Sequence, residues 1–327
     1  MPVVSVIMAY HQVTPFFRPA VRSVLGQTLR DLELVLVDNG TGAGLTPLGD
    51  DAHDPRLRLV RHATNRGIAA AVNAAVADAR GEFIALLDYD DLMLPRRLEA
   101  QVSALRANPG AGLAACRAET IDADGRVIGR EFSLSDPRDQ FRYTQFAAPV
   151  VTPAYTGRRE VFARLPYRTD FSVAADFDFL ACAAELYPFT AAPEILLQYR
   201  HHADQTTRRE SARVLRERAT VRLLTARRRD GRDEGPGWAS LLQPQADDEI
   251  NRAGVLCEFA RQNFAEGFAV LAAYHARRSI AEDPAPGSAM AALKLFLHIW
   301  RRARADSNQV AAMFFRGPVK ALGVRPD

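Results

Sequence analysis

The sequence predicts an α/β fold in which a mostly parallel β-sheet is flanked by helices and is followed by a mainly helical C-terminal region. Three observations support this prediction. Short apolar runs typical of buried strands alternate with helical patterns over roughly the first 110 residues. Polar residues follow the ends of three of these runs, and from about residue 206 the pattern changes to helices. We therefore expect two domains, residues 1–205 and residues 206–327.

The predicted strands of the first domain begin with residues 3–9, 32–37, 57–60 and 82–87. Each is a short apolar run of the kind that forms a buried strand. Helical patterns lie between them: one follows Pro15, residues 68–79 form a second that Gly81 is expected to close, and Pro95 begins a third. Strands and helices alternating in this order predict a parallel sheet with helices on both faces.

The pattern is less regular after Leu113. Residues 116–170 predict short strands and loops, residues 174–186 predict a helix, and residues 195–199 predict a further strand. From about residue 206 to residue 305 helices are expected, with breaks near residues 231–237 and 283–287.

Composition narrows the class of protein. Of the 327 residues, 48% are apolar and 25% are charged, which is ordinary for a globular protein, and the net charge of +3 is too small to indicate nucleic-acid binding. The three cysteines are widely spaced and form neither a disulfide framework nor a metal-binding pair. The N-terminus lacks the features of a signal peptide, and no apolar run approaches the roughly 18 residues that span a membrane. A cytoplasmic protein is expected.

Polar residues cluster where the predicted strands end: Tyr10 after the first, Asp38 and Asn39 after the second, and an acidic group after the fourth. Ligands bind open parallel sheets at this edge. The acidic group is 88–91, in which three of four residues are aspartates that repel one another unless a cation neutralises them. Mg²⁺ typically binds one or two carboxylates together with substrate phosphates. The alternative is a solvated acidic turn in which Asp91 caps the next helix.

Five segments, in order, resemble glycosyltransferase family 2, whose members have the GT-A fold. The resemblance covers residues 4 to about 207 and is carried by VSVIMAYHQ, SVLGQTLRDLELVLVDNG, NRGIAAAVNAAVADARGEFIALLDYDDLMLP, AADFDFLACAAE and YRHHADQTT. Each match is weak alone, and the five together are specific. The resemblance implies an inverting transfer of a sugar from a nucleotide diphosphate, most typically a UDP-sugar, to an acceptor hydroxyl with Mg²⁺ or Mn²⁺ as cofactor. It also implies a role in polysaccharide or glycan biosynthesis, with a glycan or a lipid-linked acceptor.

The resemblance assigns roles to nine residues: Tyr10, Asp38, Asn39, Arg66 and Asp88 to binding of the nucleotide-sugar, Asp90, Asp91 and His202 to the metal, and Asp176 to the catalytic base. The chain departs from the family pattern at three of the matched places, the first of which is the loop after the first strand, where Ala9 and His11 replace a common Pro and Asn. Asn39 stands where the family usually has an acid, which leaves bases other than uracil open, and Ala175 replaces a common Glu before the base.

Alternatives remain for individual residues and for the whole protein. His202 could be satisfied by main-chain groups in a polar turn, and Asp176 could serve only the dipole of its helix. Asp178 is expected to be structural or to lie on the acceptor side. A non-catalytic binding protein of the same fold would keep these residues without turnover. A sugar nucleotidyltransferase is less favoured, because no Gly-rich phosphate loop follows the first strand.

Residues 208–232 contain ten arginines and few acids, with apolar residues threaded between them. Two interpretations compete: an amphipathic helix that lies on anionic lipid at the inner face of the membrane, or a helix with a solvated face that packs on the catalytic domain. The second is the commoner arrangement. Nucleic acid is not expected as a partner, because no recognised binding motif accompanies the arginines. The apolar residues 293–300 are too short to span a membrane and predict either a helical core or a partner surface.

Overall fold

The computed structural model describes residues 1–130, 152–235 and 237–243, and then separate stretches between residues 256 and 302 (256–257, 259–261, 264, 272–273, 275–276, 279–280 and 286–302). The chain divides into two compact units, Met1–Gln205 and Thr206–Asp327. The loops predicted at residues 131–151, and most of the helices predicted between residues 244 and 285, lie outside the described residues.

The first unit is built on one nine-stranded sheet in the order β3-β2-β1-β4-β8-β6-β9-β5, with β7 paired to β6. The strands are β1 Val4–Tyr10, β2 Leu32–Asn39, β3 Leu57–His62, β4 Phe83–Leu86, β5 Leu92–Met93, β6 Leu113–Ile121, β7 Val127–Arg130, β8 Tyr155–Arg158 and β9 Phe189–Arg200. The helices are α1 Phe17–Leu25, α2 Gly67–Asp78, α3 Arg97–Ala107, α4 Arg159–Arg164 and α5 Ala175–Leu186. Short 3-10 helices cover Thr46–His53 and Thr152–Ala154.

The predicted parallel sheet is confirmed for the first four strands. β1 lies between β2 and β4 and is parallel to both, and β3 adds in parallel to β2. Every residue of β2 is buried, as its continuous apolar sequence predicts. The register pairs Tyr10 with Asp38, so that the polar residues following these strands meet at one edge of the sheet.

The second half of the sheet is mixed. β8 is antiparallel to both β4 and β6, whereas β9 is parallel to β6 and antiparallel to the short β5. β9 covers twelve residues, many more than the segment 195–199 predicted from sequence. Its last residue, Arg200, pairs with Ile121 and carries the chain back to the loop after β4. The residues after β9 therefore lie beside the acidic group.

Gly81 does not close α2, and that expectation was wrong. The helix ends at Asp78, and its C-cap is Ala79 in an extended conformation. Gly81 is instead required by a close approach between chains, because a Cβ atom there would lie 2.4 Å from the main-chain nitrogen of Ser5. The Gly81 N–H donates a 2.8 Å hydrogen bond to the hydroxyl of the same serine. A glycine that looks like a helix stop thus serves the packing of the sheet.

The second unit contains the helices α6 Thr206–Arg209, α7 Ser211–Arg229 and α8 Pro286–Arg302. Two of the α7 arginines, Arg216 and Arg222, are buried, whereas Arg213 is exposed and pairs with Glu210. The two buried arginines weigh against a helix whose arginines all face lipid. In α8, Phe296 and Ile299 belong to a hydrophobic core, which supports the prediction of a helical core at residues 293–300. None of the helices in the described stretches is both long enough and apolar enough to cross a membrane.

Candidate active site

An acidic group follows β4 at the edge of the sheet. One ligand oxygen from each of Asp88, Asp90 and Asp91 lies within 4.8 Å of the other two, and among the described residues no other group of this kind is found. The three side chains differ in burial: Asp88 is exposed, Asp90 is partly exposed and Asp91 is fully buried. Asp91 does not cap the next helix, because α3 begins at Arg97 and has no capping side chain. The group thus offers a compact set of oxygen ligands.

The Asp91 side chain is hydrogen-bonded to Arg200, the last residue of β9. One of its carboxylate oxygens accepts a 2.7 Å hydrogen bond from the main-chain N–H of Arg200. The other, Oδ2, is buried and has no hydrogen-bond partner in the part of the chain that the structure describes. Burial, followed by the charges of Asp90 and Asp88, raises the pKa of Asp91 well above its usual range. Without a cation the group therefore favours a bound proton over three full charges.

Asp88 lies at the open side of the group. Its side chain is partly reached by solvent, yet desolvation by the surrounding protein, followed by the charges of Asp90 and Asp176, raises the pKa of Asp88 to about 8. Asp176 thus acts on Asp88 through its charge, although 88 residues separate the two in sequence. A divalent cation at this place would reverse the effect, because it favours the ionised carboxylates.

His202 lies beside the acidic group. Its Nε2 is 2.8 Å from Oδ2 of Asp90, and its ring packs against Phe16 with the ring centroids 5.1 Å apart. The partner of Nε2 is therefore a side chain of the acidic group and not the main chain of a turn. An imidazole nitrogen and a carboxylate oxygen this close can bind the same metal ion once the proton between them is lost. The structure thus brings together the three aspartates and the histidine that the family resemblance assigned to the metal and the diphosphate.

Asp176 lies in the first turn of α5. One of its oxygens accepts a hydrogen bond from the Thr152 hydroxyl, and the other accepts one of 2.7 Å from the main-chain N–H of Phe177. Both carboxylate oxygens are thereby oriented, as a general base requires. The position is also favourable for the helix dipole, so both interpretations of Asp176 remain compatible with the structure. Asp178 is different, because it is buried and pairs with Arg168, which indicates a structural role.

Tyr10 and Asp38 lie inside the protein. The Tyr10 ring is fully buried, and its centroid lies 4.5 Å from that of the Phe17 ring. The Tyr10 hydroxyl donates a 2.6 Å hydrogen bond to the carbonyl of Gly44. Burial and the neighbouring Asp38 raise the pKa of Tyr10. The Asp38 carboxylate accepts hydrogen bonds from the N–H and hydroxyl of Thr41 and from the N–H of Gly44. Both side chains organise the loop after β2.

Asn39 organises a second loop. Its Nδ2 donates to Asn65 Oδ1 at 2.9 Å and to the Gly67 carbonyl at 3.3 Å. Its Oδ1 accepts from the Arg66 N–H at 3.0 Å and lies 2.9 Å from Nδ1 of His62. The amide is thus fully used within the protein. Arg66, by contrast, is exposed at the start of α2 and is free to approach a ligand.

Several residues at the site were not predicted. Arg200 holds the acidic loop, Thr152 donates to Asp176, and Gln12 donates a 2.8 Å hydrogen bond to the hydroxyl of Tyr89 within that loop. Arg200 lies inside one of the segments that carry the family resemblance, so the sequence pointed to its neighbourhood but gave it no role. Gln12 likewise lies inside such a segment, VSVIMAYHQ, and was given no role, whereas Thr152 carried no signal, because its partner is distant in sequence.

Comparisons with known proteins agree with this architecture. The family model of glycosyl transferase family 2 matches residues 5–165. The glycosyltransferase MJ1057 of Methanocaldococcus jannaschii is 30% identical over 206 residues, which cover 61% of this chain and 71% of MJ1057. The succinoglycan biosynthesis protein ExoO of Rhizobium meliloti is 36% identical over 134 residues, which cover 41% of this chain and 38% of ExoO.

Solved structures share the fold. TarS 1–349 of S. aureus in complex with UDP-GlcNAc has a TM-score of 0.59 at 14% identity, and the match covers 85% of this chain and 88% of that one. The mannosyltransferase PcManGT of Pyrobaculum calidifontis in complex with GDP-Man and Mn²⁺ has a TM-score of 0.52 at 21% identity, and the match covers 96% of this chain and 85% of that one. At these identities the similarity shows the fold alone. The family match, the relative MJ1057 and the GT-A architecture together show that the chain belongs to glycosyl transferase family 2.

Proposed function

We propose that this glycosyltransferase moves a sugar from a nucleoside diphosphate donor to an acceptor hydroxyl by an inverting single displacement that depends on a divalent cation. One observation carries the proposal. The three aspartates of the loop after β4 offer ligand oxygens close to one another, and His202 lies 2.8 Å from Asp90. We place the cation on this group and the base on Asp176, at the edge of the sheet where ligands bind.

The residues present fit a divalent cation. Three carboxylates supply hard oxygen ligands, and Asp91 Oδ2 is buried without a partner among the described residues, a situation that costs about 1–3 kcal/mol when nothing compensates it. A histidine nitrogen beside Asp90 suits Mn²⁺ better than Mg²⁺, which prefers oxygen. Mn²⁺ is also named in the complex of the related-fold mannosyltransferase. When bound, such a cation neutralises the charge that builds up on the leaving diphosphate.

Asp176 is the proposed base. A base in this reaction removes the proton of the acceptor hydroxyl as that oxygen attacks the anomeric carbon, and it must be held within hydrogen-bond reach. Thr152 and the Phe177 N–H fix the two oxygens of Asp176. The proton passes to Asp176, the new glycosidic bond forms, and the bond to the nucleoside diphosphate breaks on the opposite face of the sugar, which inverts the anomeric centre.

Uracil and guanine are both candidates for the nucleobase of the donor. TarS is described in complex with UDP-GlcNAc and PcManGT in complex with GDP-Man, so the fold accommodates both bases. Asn39 and Asp38 are occupied by their loops, and we propose that Arg66 and main-chain groups after β1 contact the nucleotide. A UDP-sugar is the first donor to test, because it is the most typical donor of the family.

We further propose a role in the assembly of a polysaccharide or another glycan. ExoO is named for succinoglycan biosynthesis, and EpsE of Bacillus subtilis, a putative glycosyltransferase by its name, is 36% identical over 140 residues that cover 48% of its length. A glycan or a lipid-linked acceptor would suit this setting. Contact of the arginine-rich helix with the inner face of the membrane stays a prediction, and the buried arginines of α7 weigh against it.

The proposal is tested by the thermal stability of the purified chain with UDP, GDP, TDP and CDP, each with and without Mn²⁺. A ligand that binds only the folded state stabilises it by about 2.7 kcal/mol at a hundredfold excess over its Kd. We expect a shift with one nucleotide that requires Mn²⁺, and turnover of the corresponding sugar donor. Binding without turnover would support the non-catalytic alternative, and a shift that is indifferent to Mn²⁺ would contradict the cation dependence.

A further inference from the structure

Arg200, the last residue of β9, forms hydrogen bonds to two residues of the acidic loop. The Arg200 guanidinium donates through Nε to the carbonyl of Asp90 at 2.8 Å, while its main-chain N–H donates to the Asp91 carboxylate at 2.7 Å. Through Nη1 the same guanidinium donates to the carbonyls of Asp122 and Ala123 at 3.0 and 3.2 Å. One residue thereby ties the acidic loop to the turn that directly follows β6, whose last residue, Ile121, is paired with Arg200.

The position of the guanidinium is fixed. Arg200 is only 5% exposed, and its guanidinium carbon lies 4.6 Å from the centroid of the Phe16 ring. Phe16 in turn packs against the ring of His202, which lies beside Asp90. The contacts of Arg200 thus reach the two aspartates directly and the histidine through Phe16.

The guanidinium bonds to neutral carbonyls and forms no ion pair within the described residues. Its geometry is therefore set by directional hydrogen bonds from a rigid fork, which a lysine cannot reproduce. Residues that orient metal ligands in this way are often as important for metal affinity as the ligands themselves, and changing one typically costs about 10- to 100-fold in affinity.

We propose that Arg200 is a positioning residue that fixes the loop 88–91 and, through Phe16, His202 in the geometry that binds the divalent cation. The inference rests on the proposed function, because it assumes that the acidic group takes a cation. It goes beyond that function because it gives Arg200 a role that acts only through the groups proposed to bind the cation.

A purely electrostatic role makes the opposite prediction. A positive charge close to the acidic group repels a second cation, so a neutral residue in place of Arg200 would strengthen cation binding if charge were its only effect. A positioning role requires weaker binding for the same change, because the ligands lose their fixed geometry. The sign of the change in affinity therefore separates the two explanations.

The test compares Mn²⁺ binding by the wild-type chain, Arg200→Met, Arg200→Lys and a control, Arg158→Met. Arg158 is matched to Arg200: it donates to the carbonyls of Ala111 and Leu105 at 3.0 and 2.8 Å and lies 5.7 Å from the centroid of the Phe83 ring. It pairs with the first residue of β4, at the end of that strand away from the acidic loop. Binding is followed by the loss of the electron paramagnetic resonance signal of free Mn²⁺, and folding by circular dichroism.

We expect Arg200→Met to bind Mn²⁺ about 10- to 100-fold more weakly than the wild type, and Arg200→Lys to be weakened as well although the charge is kept. Arg158→Met should keep wild-type affinity even if it loses similar thermal stability. If Arg200→Met does not fold, Arg200→Lys decides the question. Unchanged or tighter Mn²⁺ binding by the folded Arg200 variants would overturn the inference, whereas a wild-type chain that binds no Mn²⁺ would overturn the proposed function instead.

Discussion

The substitution Asn39→Asp restores the acid that is usual in the family, and here it is expected to destabilise the protein. The side chain of Asn39 is 4% exposed. Its Nδ2 donates to Asn65 Oδ1 and to the carbonyl of Gly67 at 2.9 and 3.3 Å, and an aspartate has no donor for either oxygen. Two acceptors would then face a buried carboxylate. Leaving buried polar groups unpaired costs about 1–3 kcal/mol, and burial of the new charge adds to this, so we expect the free energy of unfolding to fall by about 2–4 kcal/mol.

The measurement is urea denaturation at neutral pH, with Asn108→Asp as the matched control. Asn108 is exposed, and its Nδ2 donates to the Ala104 carbonyl at 2.9 Å and to the Thr190 hydroxyl at 3.3 Å, so water can replace both partners. Its substitution should change the free energy of unfolding by about 0.5 kcal/mol or less. An Asn39→Asp protein as stable as the control would refute the argument that the amide donors organise the loop 62–67. Nucleotide affinity measured on the same protein would then show whether that loop also serves the donor.

Three further substitutions follow from the structure. Asp90→Ala removes the partner of His202 and is expected to abolish Mn²⁺ binding. Turnover should fall about 10²-fold or more while the circular dichroism spectrum stays unchanged. A fully active variant would contradict the cation assignment. Asp176→Asn should lower kcat about 10²- to 10⁴-fold with no change in the Kd of the nucleotide, and equal losses in both would instead indicate a structural role. Gly81→Ala places a Cβ 2.4 Å from the nitrogen of Ser5, so the free energy of unfolding measured in urea should fall by about 1–3 kcal/mol, and an unchanged value would show that the sheet can shift there.

The strands of the parallel half could be predicted because their signal is local. A short apolar run is recognisable without its neighbours, and the observed β1 and β2 begin within a residue of the predicted ones. β9 was predicted too short because its first half contains Pro193 and mixes buried with exposed residues, a pattern that does not stand out as a strand. Pairing with β6 along nearly its whole length stabilises it, and the paired residues of β6 lie 76 to 79 positions earlier in the sequence.

The candidate site could be predicted only as a set of residue types at strand ends. The sequence placed Tyr10 and Asp38 at the right edge of the sheet, but not the direction of their side chains. Both are held inside by the loop after β2, which covers them through Thr41 and Gly44. A pattern of period two indicates which face of a strand is buried, but it cannot show that a loop folds back over the strand's end.

The residues that hold the chemistry in place were beyond sequence reasoning for the same reason. Arg200 contacts Asp90 over a separation of 110 residues, and Thr152 contacts Asp176 over 24. Asp91 and Asp176 are each oriented by a residue from a different element, whose own type does not suggest catalysis. Loss of activity on substitution of such a residue would therefore not identify it as a ligand or a base. Only a measurement that separates metal affinity, nucleotide affinity and turnover can distinguish the groups that react from those that position them.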